Sequence, residues 1–325
     1  MFELSATSAP GYLAARGLPA PRSVTELGGG VSNTVLLVET GDERFVLKQS
    51  LAKLRVEQDW FSDRRRIFRE SAAMRALAPH LPPGSVPAIL FEDRENCLFA
   101  MTAAPAGSET WKARLLAGDV CAGTARRVGE MLAAMARMSW RSREYEDQFG
   151  DQTVFDQLRL DPYYRATAHR HPDLAPRFSA LMEESAARRV CLVHGDWSPK
   201  NFLVCGDRLV AIDFEVTHFG DPAFDAAFLL NHLALKSFFL PRHGPALAQA
   251  AAQFLDAVLA GMPAEAGWMD SATVRHLGAL MLARIDGKSP AEYLREEALR
   301  DRVRRFARGL MLDPPASVAE VFERI

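Results

Sequence analysis

Cysteine is sparse in this chain and unpaired. Cys97, Cys121, Cys191 and Cys205 form no C-x-x-C pair and no zinc-type spacing, which excludes a disulfide framework or a thiolate metal centre as the basis of the fold and fits a reducing cytosol. An excess of either charge is also missing. The 39 Lys and Arg against 41 Asp and Glu leave a formal net charge of -2, so neither nucleic acid nor an anionic membrane is expected as a partner. The opening MFELSATSAPGYLAARGLPAP lacks the basic start and apolar core of an export signal. Long unbroken apolar runs are absent too. The most apolar stretch, AFDAAFLLNHLALKSFFL at residues 223–240, is interrupted by Asp225, Asn231, His232 and Lys236. Those side chains are costly at bilayer depth, so the stretch reads as a buried helix of a soluble, cytoplasmic protein.

What is present is an ordinary globular composition, 48% hydrophobic and 25% charged over 325 residues. That length exceeds the roughly 100 to 200 residues of one domain, and two lobes are expected. In the first of them, VTELGGGVSNTVLLVETGDERFVLKQS carries apolar residues between turn signals at the glycine run and at Gly41-Asp42, the pattern of a β-meander. A helical period takes over from about Asp63 to Leu77. Two further short strands then flank a turn at Asp93 to Asn96, and the small-residue segment after them reads as a linker. Beyond it the period is mostly helical: Val128, Met131, Leu132, Met135 and Met138 share one face, as do apolar positions within 245–260 and 272–285. The expected class is α+β, with a β-rich lobe over residues 1–103 and a helical lobe over 104–325.

One segment concentrates polarity between two apolar runs: VHGDWSPKNFLV, residues 193–204, followed by CGDR and LVAIDFEV. Gly206-Asp207 suits a two-residue hairpin turn. Pairing outward from it sets Cys205 opposite Arg208, Leu203 opposite Val210 and Asn201 opposite Ile212, which makes Asp213 the neighbour of Asn201. Cross-strand neighbours lie about 5 Å apart and diagonal ones about 7 to 8 Å, so an amide oxygen and a carboxylate can share a cation. Glu215, two residues on in an extended chain, points the same way. Oxygen-only ligands favour Mg2+ over zinc. Asp196, five residues before Asn201, suits a carboxylate that orients an attacking hydroxyl and accepts its proton. In the first lobe Ile67, Glu70, Met74 and Leu77 follow 3-4-3 spacing, placing Glu70 on an apolar stripe. A buried carboxylate needs a partner. Lys48 on the adjoining strand is the natural one; the alternatives are a solvated Glu70 at the stripe's edge, or pairing with Arg66 or Arg69.

H-G-D-x-x-x-x-N, then I-D-F-E and G-D-P-x-x-D, here His194-Gly195-Asp196, Asn201, Asp213-Phe214-Glu215 and Gly220-Asp221-Pro222 to Asp225, resembles the aminoglycoside phosphotransferase and choline kinase superfamily. These are small-molecule kinases with the bilobal protein-kinase-like fold, and the likeness spans nearly the whole chain. It implies ATP and Mg2+ as cofactors, Asp196 as the catalytic base, Asn201 and Asp213 as metal ligands, and Glu215 as an additional ligand or substrate contact. It also implies that His194 braces the loop, while Asp221 and Asp225 hold it and begin the next helix. Gly28, Gly29, Gly30, Ser32 and Asn33 resemble the nucleotide-covering loop. No Gly-Lys-Ser/Thr follows this run and it is not a G-x-G-x-x-G fingerprint. Lys48 would reach the α and β phosphates with Glu70 as its helix partner, and Met101 and Ala103, in a hinge running to Pro105, would flank the nucleotide.

KQSLAKLRVEQDWFSDRRRIFRE resembles a segment of methylthioribose kinases in the same superfamily, and LARIDGKSP, with Arg284 and Lys288, falls where those enzymes place substrate-contacting basic residues. Arg284 is thus a candidate substrate residue beside Glu215. Two departures are plain: Asn201 follows the choline and aminoglycoside kinases, and IDFE replaces D-P-E. The expected activity is ATP-dependent phosphorylation of a hydroxyl on a sugar-like or amino-alcohol small molecule, methylthioribose among the candidates. A cationic acceptor calls for carboxylates or an aromatic cage, whereas the late segment offers Arg295, Arg300, Arg302, Arg304, Arg305 and Arg308, most of them read as a solvated helix face. Trp60 and Trp111 suit either a pocket wall or packing. An aminoglycoside kinase and a nucleotide-binding regulator without catalysis stand as alternatives. A protein kinase does not, since the chain has no H-R-D loop and no long segment ending in A-P-E. The sequence carries no signal of oligomeric state.

Overall fold

A computed structural model describes residues 2–28, 32–41, 43–53 and 63–325. Gly29, Gly30, Asp42 and Trp60, singled out above, lie outside the described residues. The chain forms two units, Met1–Ser108 with Cys205–Val216, and Glu109–Val204 with Thr217–Ile325. The segment that carries Asp213 and Glu215 therefore belongs with the first unit, and the segment that carries Asp196 and Asn201 with the second.

Strand propensity and alternation build the first unit. Strands β1 (Ser23–Glu26), β2 (Asn33–Glu39), β3 (Arg44–Ser50), β4 (Ile89–Asp93) and β5 (Leu98–Thr102) form one antiparallel sheet in the order β1-β2-β3-β5-β4. β3 is central and buried on both faces from Phe45 to Ser50. Its period of two sends Phe45 and Leu47 into a cluster with Leu4, Leu13, Leu36, Val38 and Leu98, while Val46 and Lys48 point to the opposite face. Helix Arg66–Leu77 buries Ile67, Glu70, Met74 and Leu77, the residues of the apolar stripe. The helix Ala9–Ala15 was not legible in the Pro-rich opening. Pro10 falls in its first turn, where a missing N–H costs nothing, and burial of Ala9 and Leu13 stabilises a segment too short to hold by propensity.

The second unit is mostly helical, with long helices Ala122–Ser139, Pro222–Phe239, Gly244–Gly261, Met269–Asp286 and Glu297–Leu312. On the first of these Val128, Met131, Leu132 and Met135 are buried, and Met138 is half-buried. Helix Pro222–Phe239 is buried along all but its last residue, including Asp225, Asn231, His232 and Lys236, as its composition implied. At Gly129 a Cβ would stand 2.4 Å from the Phe254 carbonyl oxygen, so the Ala122–Ser139 and Gly244–Gly261 helices meet backbone to backbone and only glycine fits. Among the described residues no single helix is long and apolar enough to cross a membrane. Two short strands, Cys191–Val193 and His218–Gly220, pair antiparallel with Val193 opposite His218, and Phe202–Cys205 pairs with Glu109–Thr110. The first pair joins the strand that leads into the polar segment to the strand that follows its hairpin.

Candidate active site

In the first unit, the alternation of β3 aims Lys48 at the helix that presents Glu70. Its Nζ lies 2.8 Å from a Glu70 oxygen and 2.6 Å from Asp213 Oδ1, so the ion pair expected from the stripe is present. Burial alone would lower the Lys48 pKa, but the Asp213, Glu70 and Glu215 carboxylates outweigh it and hold the ammonium well above the ordinary lysine range. Burial pushes the Glu70 carboxyl up to about 7, with Lys48 pulling it down and the Asp213 and Glu215 charges adding to the rise. Asp213 adopts φ 69, a left-handed conformation that aspartate tolerates better than most residues and that recurs where a side chain must be aimed.

Glu215 is held from three sides. Ser32 Oγ donates to it at 2.7 Å, Asn33 Nδ2 at 2.9 Å and Arg66 Nε at 3.1 Å. Arg66, an alternative partner for Glu70 on sequence grounds, pairs with Glu215 instead and also donates to the Leu51 carbonyl. One ligand oxygen each from Glu70, Asp213 and Glu215 falls within 4.8 Å of the others. Gly28 is exposed; Met101 is buried in β5 opposite Val46 and Ile89, and Ala103 follows, half-buried.

In the second unit the polar loop is braced by main-chain contacts. The Asp225 carboxylate accepts from the amides of His194 at 2.6 Å and Gly195 at 2.9 Å; burial pushes its carboxyl up to about 7, while those two amides pull the other way. Gly195 takes φ 76, the left-handed turn that glycine adopts freely. His194 Nδ1 accepts from the Asp196 amide at 3.2 Å, and the Trp197 ring packs edge-on to both His194 and Phe202. Asp221 caps helix Pro222–Phe239 by accepting from the Ala223 amide. Asn201 Nδ2 donates to the Asp196 carbonyl at 2.9 Å. That bond orients the amide and leaves its oxygen as the atom suited to a cation.

Two functional neighbours of Asp196 were missed. Its Oδ2 lies 2.9 Å from Arg159 Nη2 and 3.0 Å from Lys200 Nζ. Lys200 had a signal, four residues after Asp196 within the polar motif. Arg159 had none: it comes from the segment Asp156–Arg165, where Pro162 reads as a break but is accommodated in wide π-helical turns. The Arg159 guanidinium also donates to the Gly195 carbonyl and stacks over the Tyr163 and Phe228 rings. Arg284 is buried; its Nη1 donates to Ser289 Oγ at 2.8 Å and to Tyr163 Oη at 3.4 Å. Lys288 instead pairs with Asp161 at the surface. Arg302 and Arg305 are exposed, whereas Arg304 and Arg308 pair with Asp286 and Asp173. Trp111 is a core residue, edge-on to Phe202.

Residues 23–268 match the Phosphotransferase enzyme family, well over half of the chain. The protein belongs to that family. A search of curated protein sequences finds no match. Among solved structures, this phosphotransferase is similar to the amicoumacin kinase hAmiN in complex with AMP-PNP, Ca2+ and Ami, at 15% identity over 97% of this chain and 96% of that one, TM-score 0.61. It is similar also to a choline/ethanolamine kinase family protein from Mesorhizobium loti, at 18% identity over 97% of each chain, TM-score 0.54. A third likeness is to a thermostable mutant of aminoglycoside phosphotransferase APH(4)-Ia with AMP-PNP and hygromycin B, at 16% identity over 98% of each chain, TM-score 0.51. Identities this low establish the kinase-like α+β fold and nothing of the substrate. The family makes the chain a phosphotransferase, an enzyme in place of the non-catalytic regulator.

Proposed function

We propose that this phosphotransferase moves the γ-phosphate of ATP to a hydroxyl of a small sugar-like or polyol metabolite. The observation that carries this reading is Lys48 bridging Glu70 and Asp213, a buried ammonium kept charged and fit to pair with phosphate oxygens. The surrounding charge suits a divalent cation: oxygens of the three carboxylates Glu70, Asp213 and Glu215 cluster together, with Lys48 and Arg66 among their cationic neighbours. Asn201 and Asp213 are assigned as ligands of Mg2+, whose chemistry would be to neutralise charge on the transferred phosphoryl group. A fold neighbour that holds AMP-PNP and Ca2+ supports nucleotide and metal together.

The remaining roles fall to the chain. Asp196 orients the acceptor hydroxyl and takes its proton, with Arg159 and Lys200 on one oxygen fixing its rotamer. Ser32 and Asn33, tied to Glu215, position the end of the glycine loop over the nucleotide, and Met101 and Ala103 flank it. The aminoglycoside alternative has less support: beside the buried carboxylates Asp196 and Asp225 stand the buried cations Arg159 and Arg284, which disfavour a polycation. The test is mass spectrometry of a metabolite pool incubated with γ-labelled ATP, Mg2+ and either wild type or Asp213→Ala. Wild type should yield one phosphorylated product and Asp213→Ala none. Equal product from both, or AMP-PNP binding with no transfer to any pool, would defeat the assignment.

A further inference from the structure

Helix Pro222–Phe239 carries a lysine that the chemistry above does not use. Lys236 is fully buried; among the described residues its Nζ donates to the His232 carbonyl at 3.3 Å and lies over the face of Tyr293, 5.2 Å from the ring centroid. Arg284, 8% exposed, has its Nε buried without a hydrogen-bond partner, and the Tyr293 hydroxyl is likewise buried and unpartnered. Among the described residues no carboxylate forms an ion pair with Lys236 or Arg284. Glu292, the one carboxylate whose charge acts favourably on Lys236, is bonded to Lys112.

Burial, with the Lys112 and Arg284 charges, brings the Lys236 pKa down to about 7, and burial together with Lys236, Arg284, Lys200 and Lys112 holds His232 far below its usual value. Buried charges are ordinarily paired, because isolated ones are expensive. Here the bonds that Lys236 and Arg284 make go to neutral oxygens of His232, Ser289 and Tyr163, so that among the described residues no anion balances the two cations, and the Tyr293 hydroxyl beside Lys236 is left without a hydrogen-bond partner. The cluster also borders the catalytic loop. Tyr163, which accepts from Arg284, feels the charges of both Arg284 and Asp196, and Arg159 stacks on Tyr163 while pairing with Asp196.

From this juxtaposition we infer that the acceptor is an anion: its carboxylate or phosphate group is held by Lys236, Arg284 and Tyr293, and its hydroxyl is presented to Asp196. The inference rests on the reading of Asp196 as the group that faces the acceptor. It narrows the sugar-like class to hydroxycarboxylates and phosphate monoesters, and it departs from the polycationic and choline-like acceptors named among the fold neighbours.

Inorganic sulfate is the probe, titrated calorimetrically in the presence of saturating AMP-PNP and Mg2+ into wild type, Lys236→Met and Tyr293→Phe. Wild type should bind sulfate. The dissociation constant should rise about tenfold or more in Lys236→Met, as for loss of one charged hydrogen bond, and by a smaller factor in Tyr293→Phe. AMP-PNP affinity, measured in the same preparations, should be unchanged and reports that the variants are folded. A second arm compares labelled-phosphate transfer to sugar acids, sugar monophosphates, neutral sugars and aminoglycosides. Transfer to sugar acids alone identifies a carboxylate anchor and transfer to sugar monophosphates alone a phosphate anchor, in either case with KM raised in Lys236→Met. Sulfate binding that is absent, or equal in wild type and Lys236→Met, overturns the inference, as does transfer only to neutral or cationic acceptors with KM unmoved. Sulfate binding lost in Lys236→Met without transfer to any acceptor supports the anion site while counting against the phosphotransfer reading, so the two fail separately.

Discussion

Replacing Lys236 by methionine should make the protein more stable. The side chain has 0% exposure and its ammonium loses hydration without gaining a carboxylate. Its pKa falls from 10.5 to about 7 in the folded chain. At roughly 1.4 kcal/mol per pH unit, that interval corresponds to about 5 kcal/mol of destabilisation below pH 7 and about 4 kcal/mol at neutral pH. The sign follows from proton uptake. Between pH 7 and 10.5 the unfolded chain holds the lysine proton and the folded chain largely releases it, so the unfolded state binds more protons and stability rises with pH across that window. Below pH 7 both states are charged and the full penalty applies. Methionine keeps a similar length and volume, and replacing a buried ion by a packed apolar side chain is often stabilising by about 1 to 4 kcal/mol. The gain is large against a typical total of roughly 5 to 15 kcal/mol. Urea denaturation in sulfate- and phosphate-free buffer at pH 6, 7.5 and 9, followed by tryptophan fluorescence, should show Lys236→Met ahead of wild type by several kcal/mol at pH 6 and by progressively less at higher pH. A variant no more stable than wild type, or a gap that does not shrink with pH, would mean that the ammonium is solvated or paired in solution, and the reasoning fails. Stability gained with acceptor binding lost is the mark of a residue kept for function.

Three further perturbations follow from the geometry. Arg66→Met leaves Glu215 buried without its cation, so denaturation should show a loss of about 3 to 5 kcal/mol, and the double variant Arg66→Met/Glu215→Leu should recover part of it; additive losses would show that the pair is not coupled. Asp196→Asn should lower kcat by about 100-fold or more while the AMP-PNP dissociation constant stays within error, since a positioned base contributes about that much, and an unchanged kcat would remove Asp196 from its role. Gly129→Ala ordinarily stabilises a helix interior by about 1 kcal/mol, but the 2.4 Å approach of the new Cβ to the Phe254 carbonyl oxygen should reverse the sign, so the melting temperature should fall; a rise would show that the two helices part freely.

How far the site could be read from sequence depended on whether its parts were close in the chain or shared one periodicity. Lys48 and Glu70 are 22 residues apart, yet one sits in an alternating strand and the other on a 3-4-3 helical stripe, and each pattern fixes a direction; burial then requires them to meet, as they do at 2.8 Å. The support that Asp225 gives to the His194 and Gly195 amides was implied by the family resemblance alone, since no local period joins the loop to that helix. Arg159 and the pairing of Arg66 with Glu215 escaped, since each joins segments that no local period connects, and Pro162 disguises the turn that carries Arg159. The anion cluster is the instructive middle case. In the sequence, the interruptions of the apolar stretch by His232 and Lys236 argue against a membrane span and no more, because a buried lysine is ordinarily a paired one. An unpaired donor is a statement about every neighbour at once, and a sequence lists residues without saying which of them are missing from a given place.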